Sequence, residues 1–119
     1  MADPVENSEN QNSILISVKK DLGISSDDTA FDPDITRCIN SALSILNQLG
    51  VGPQEGFSIN DNSATWTDFL GTNKKLELVK TYISMKTKQF FDPPQTGPLA
   101  TALDNSLKEL EWRITIAAD

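Results

Sequence analysis

A chain of 119 residues suits one domain and can bury roughly 65% of the surface its unfolded form exposes, so a core needs neither metal nor disulfide. Seventeen acidic against ten basic side chains give a net charge of −7, which argues against wrapping a nucleic-acid backbone, a contact that needs clustered Lys and Arg. Histidine is absent, and with it the commonest general base and metal ligand. No phosphate-cradling glycine loop, zinc-ligand spacing or nucleophile elbow occurs, and Asp27, Asp28, Asp32 and Asp34 lack the alternation of a calcium loop and read as caps and turns. The expectation is a protein that is not an enzyme and carries no cofactor.

Residues 1–12 are polar, with Asp3, Glu6 and Glu9 but neither a positive n-region nor an apolar h-region, so they read as a disordered tail rather than a secretory signal. A helical domain is expected over 13–119. No run approaches the ~20 apolar residues of a spanning helix, and a single cysteine, Cys38, cannot close an internal disulfide. Both point to a soluble intracellular protein without a membrane partner.

Asn12 or Ser13 can cap a first helix through Ile14, Leu15, Val18 and Leu22, which Gly23 ends. Asp32 is the expected N-cap of a second helix, with Pro33 at the first helical position and Asp34 complementing the dipole. Ile35, Cys38, Ile39, Ala42, Ile45, Leu46 and Leu49 form its apolar face until Gly50 stops it, and Cys38 is expected to be buried as a small hydrophobe. The opposite face, with Asn40, Ser41, Ser44, Asn47 and Gln48, is small and uncharged. It reads as an ordinary wet face or as packing against a neighbouring subunit.

From Val51 to Ala64 the composition turns to Gly, Pro, Asn, Asp and Ser, an irregular insertion or a short hairpin closing on Thr65 and Trp66. Phe57, Ile59, Trp66 and Phe69 are its expected anchors, and Asp68 to Gly71 reads as a helical turn closed by glycine. Asn73 can cap a further helix through Leu76, Val79, Ile83 and Phe90, with a second row at Leu78, Tyr82 and Met85. Its Lys74, Lys75, Lys80, Lys86 and Lys88 form either a solvated face or a surface for acidic patches on another subunit or partner, with DNA binding as a weaker reading. Asp92-Pro93-Pro94 ends it.

Pro98 opens the last helix, whose core row is Leu99, Leu103, Leu107, Leu110 and Ile114. Trp112 and Ile116, at i and i+4, fall on a second face and are expected to form an interface, beside a Glu109–Arg113 pair worth about 0.3 kcal/mol to the helix. The architecture expected is mainly α, a small antiparallel bundle of about four helices with one irregular or hairpin insertion.

Four blocks recur in an order that packing alone does not demand: Leu46-Asn47-Gln48-Leu49-Gly50-Val51-Gly52-Pro53, Gly56-Phe57-Ser58-Ile59, Thr65-Trp66-Thr67-Asp68-Phe69-Leu70-Gly71 and Phe90-Phe91-Asp92-Pro93-Pro94. In that order and spacing they resemble the head-tail connector (adaptor) family of tailed bacteriophages, with the likeness reaching back to about Ile14 and on through Leu107 to Arg113. The resemblance implies a structural virion protein at the head-tail interface, assembled in the host cytoplasm. It implies a dodecameric homo-oligomeric ring docked on the portal protein, extending the DNA channel and offering a platform to a stopper or tail-completion protein. DNA would pass through the lumen without sequence-specific binding, which an acidic chain suits. Trp112, Ile116, Asn40, Ser44, Asn47, Lys80 and Lys88 are the candidate oligomer or partner contacts, with Trp112 to Asp119 the expected portal contact. The alternative is a small phage-encoded helical protein that binds and regulates a host protein.

Overall fold

The computed structural model describes residues 12–71 and 76–118, and over these the chain is helical with no strand. Its helices are α1 (Ile14–Asp21), α2 (Asp32–Gln48), α3 (Trp66–Leu70), α4 (Leu76–Phe91) and α5 (Gly97–Ala118). The expected tail lies outside the described residues except for Asn12, as do Asn73, Lys74 and Lys75.

Helix α1 begins where expected: Ser13 is the N-cap, its hydroxyl accepting from Ile16 N–H at 3.3 Å. Gly23, at φ 80°, takes the left-handed position beyond its end. Helix α2 departs from expectation at its start, because Phe31 rather than Asp32 is the N-cap and makes no side-chain cap bond. The Asp32 carboxylate serves a different purpose. Lys19, on α1, is almost fully buried, and its ammonium donates to the carbonyls of Asp28 at 2.7 Å and Ser26 at 3.3 Å and pairs with Asp32 at 2.8 Å. A buried cation needs counter-charge and acceptors, and this need outranks a helix cap.

Helix α4 is the hub, packed on α2, α1 and α5. Phe31 at the start of α2 meets Phe91 at the end of α4, ring centroids 5.7 Å apart, so these two helices run antiparallel. Tyr82 donates to Glu111 of α5 at 2.7 Å, and Ser84 donates to Asp21 of α1 at 2.6 Å. Two residues along a helix is a turn of roughly 200°, so α1 and α5 flank α4 on opposite sides. Ile35, Ile39, Ala42, Leu43 and Leu46 of α2 meet Val79, Tyr82 and Ile83 of α4 in one core that also takes in Leu107 and Ile114 of α5.

The insertion is not a hairpin. Its Ile59 spends both backbone groups on Asn40: the side-chain amide donates to Ile59 C=O at 2.9 Å and its oxygen accepts from Ile59 N–H at 2.7 Å. With those groups taken, no ladder can form there, and Thr65 instead makes an isolated bridge to Ser13. Seven residues on from Asn40, Asn47 donates to Pro53 C=O at 3.0 Å, so one face of α2 holds the insertion at two points. Ile59, Trp66 and Phe69 are buried and Phe57 half-buried against Phe69, centroids 5.1 Å apart, as expected of anchors. Trp66 also donates to Ser17 at 3.0 Å, and Thr65 and Asp68 close a capping box around α3.

Gly52 sits at φ 85° with its α-carbon against the Phe69 ring, where an added Cβ would collide with Cε1. We expect Gly52→Ala to cost roughly 2–4 kcal/mol, from left-handed strain and overpacking together. Gly56→Ala, equally left-handed at φ 97° but with open space around it, should cost only about 1 kcal/mol. Urea midpoints of the two variants separate the collision from the strain. Asn40→Ala strips both partners from the buried Ile59 backbone and should cost about 2 kcal/mol, read the same way, with protease cleavage of 51–64 rising before global unfolding.

Candidate assembly surface

The last helix rests mainly on α4. Leu107 and Ile114 are buried, and Leu103 and Leu110 are half-buried beside them. Trp112 and Ile116 point roughly 150° away from that row, and they are 66% and 54% exposed. One turn apart, they form an apolar stripe on the outer flank of the molecule. Glu109 and Arg113, paired at 2.9 Å, border it with side chains that are mostly in solvent.

Leu99 and Phe90 do not join the core as their spacing predicts. Leu99 is 61% exposed and Phe90 about half exposed, because both lie in terminal turns beside the link from Asp92 to Thr96, where the helical row outruns its partner. With the half-exposed Phe31, packed edge-on to Phe91, they leave apolar side chains exposed at the end of the bundle where α2 starts and α4 ends. From Leu99 to Ile116 the helix rises about 25 Å, so the two surfaces are distinct. Sequence reasoning missed this patch because it counted helical phase without asking how far each helix overlaps its neighbour.

The remaining candidate contacts are scattered. Asn40 and Asn47, half-buried, hold the insertion, while Ser44 between them on α2 is exposed. Lys88 is exposed and lies 3.6 Å from Asp92 at the far end of α4. Lys80 lies 3.8 Å from Glu77, with its ammonium 5.7 Å from the centroid of the Trp66 ring. Each described lysine of this helix thus has a local partner, since Lys86 donates to Gln89 and sits over Phe90. Such pairing reduces the field a phosphate backbone would meet.

Burial raises two titratable groups. Burial, reinforced by the Glu111 carboxylate it hydrogen-bonds, pushes the Tyr82 phenol well above its ordinary range. The Cys38 thiol, half-buried rather than enclosed as expected, is also raised, by burial first, which leaves it a poor nucleophile. No group of three or more metal-ligating side chains comes together among the described residues, nor is any described helix long and apolar enough to cross a membrane.

A comparison with known families finds a match to the phage connector protein family over residues 14–119. No curated protein and no solved structure matches the chain. The matched span begins with the first residue of α1 and takes in every described helix, the clamped insertion and the exposed stripe of α5. By that match the chain belongs to the phage connector protein family, a family of structural proteins, and is a connector component of a phage virion.

Proposed function

We propose that this connector works as a ring-forming adaptor at the head-tail junction, docked on the portal, extending its DNA channel and seating a stopper or tail-completion protein. The observation that carries the reading is the exposed Trp112 and Ile116 stripe, placed opposite the core face of α5. Aromatic side chains left uncovered at helical spacing mark surfaces that another protein covers. A ring made of one kind of subunit uses heterologous contacts, in which each copy offers two unlike surfaces. The stripe supplies one of these. The separate Phe31, Phe90 and Leu99 surface gives the same subunit a place to meet a different protein, as a platform between two partners requires.

Charge supports the conduit. A net charge of −7 on each copy weakens attraction to DNA, so a genome can slide past rather than stick. In this reading Trp112 and Ile116, within the expected portal contact at Trp112 to Asp119, serve a contact between subunits instead, because both face outward from the core row of α5. The assembly would form in the host cytoplasm. No described feature favours the alternative of a regulator of a host protein.

Electron microscopy of the purified chain mixed with portal rings should show an added layer with the portal's symmetry, and its absence at saturating protein would refute the ring. Trp112→Ala should abolish that layer while shifting folding stability by no more than about 0.5 kcal/mol, since so exposed a side chain contributes little to the monomer. A thermal melt of the variant checks the second half. A grossly destabilised Trp112→Ala would show that the side chain supports the fold rather than the assembly.

A further inference from the structure

On the flank of α4 opposite α5, a groove of about 980 Å³ runs between α1, the loop that follows it and the first turns of α4. Half-buried Ile16 and Ile24 are its apolar side chains, Lys20 and Glu77 stand on its rim, and Asp21 and Lys80 also line it. We propose that this groove receives the Trp112 and Ile116 stripe of a second copy of this chain. The proposal rests on the self-assembly reading above and names the surface that reading leaves open.

Geometry supplies the first argument. The groove lies on the α1 side of α4, the side to which Ser84 reaches, whereas α5 hangs on the Tyr82 side with its stripe turned outward. Knob and socket therefore sit on opposite flanks of one subunit. A pairing of that kind is head-to-tail: every copy that fills a neighbour's groove keeps its own groove empty for the next. A two-fold dimer would need the stripe to meet itself, which sets Trp112 against Trp112 and leaves both grooves uncovered.

Charge supplies the second. Glu109 and Arg113 border the stripe, with side chains 62% and 56% exposed, and bring one charge of each sign. The groove answers with both signs: Lys20 is exposed, and the Glu77 side chain is 86% exposed, although Lys80, which also lines the groove, lies 3.8 Å from it. Glu109 faces Lys20 when the stripe is seated, and Arg113 faces Glu77 in competition with Lys80. Asp21, also on the rim, is already held by Ser84 and takes no part. The rim pairs fix orientation, while Trp112 and Ile116 against Ile16 and Ile24 supply the contact.

The test replaces Trp112 by p-benzoylphenylalanine in the full chain, irradiates it at high concentration alone and on portal rings, and maps the cross-linked peptides by mass spectrometry. Cross-links from position 112 of one copy to Ile16, Lys20, Ile24 or Thr81 of another are expected. Lys20→Glu, on the surface and away from the core, should lower the yield when it is in the acceptor copy and leave it unchanged when it is in the copy carrying the photoprobe. Ile24→Arg in the acceptor should reduce the yield further, by roughly tenfold, as expected for a central apolar contact. Cross-links between two α5 helices, cross-links to any other surface, or none between copies would overturn the pairing. A portal-bound layer with cross-links elsewhere overturns the groove alone, whereas failure to form any layer on the portal overturns the ring reading itself.

Discussion

The bond from Tyr82 to Glu111, with Leu107 and Ile114 buried beside it, holds α5 against a single principal neighbour, α4. A helix with one neighbour can bury one face only. Had a further helix covered α5 from outside, Trp112 and Ile116 would be core residues and the molecule would present no apolar flank. The opposite side of α4 is handled differently, since α1 covers it incompletely and leaves a groove between them. Knob and groove both follow from α4 taking its two flanking helices roughly 200° apart.

The insertion shows how a segment without regular structure is kept in place. Asn40 lends Ile59 a donor and an acceptor in the geometry of a strand partner, and Asn47 holds Pro53. Phe69 closes over Gly52, and Phe57 closes over Phe69. Three of the four blocks that carry the family resemblance in sequence, 46–53, 56–59 and 65–71, are thus neighbours in space, whereas Phe90 to Pro94 closes the end of α4 where Phe91 meets Phe31. Amide side chains that serve the protein's own backbone are spoken for. Two residues of the small polar face of α2 dock the insertion, and Ser41, Ser44 and Gln48 are what remains of that face on the surface.

Lys19 illustrates the reverse problem. A lysine in the last turn of a helix ordinarily stays solvated and favours the helix C-terminus. Here two carbonyls of the following loop and the Asp32 carboxylate converge on it and draw the start of α2 onto α1. Periodicity gives no warning of this, because the partners come from a turn whose path depends on the helices it joins.

Helix existence, order and most ends were legible from local chemistry: the Ser13 cap, the stops at Gly23, Gly50 and Gly71, Pro33 in a first turn, and the proline pair after Phe91 all act within a few residues of themselves. The exposed face of α5 was legible too, since Trp112 and Ile116 fall off the leucine row at any helical phase. Overlap was decided only in three dimensions. Leu99 and Phe90 belong to apolar rows and are nonetheless exposed, Asn40 and Asn47 look free and are engaged, and Lys19 looks solvated and is enclosed. Periodicity assigns each side chain a direction, whereas burial depends on whether another element reaches that spot, and this is fixed by where whole helices end against one another.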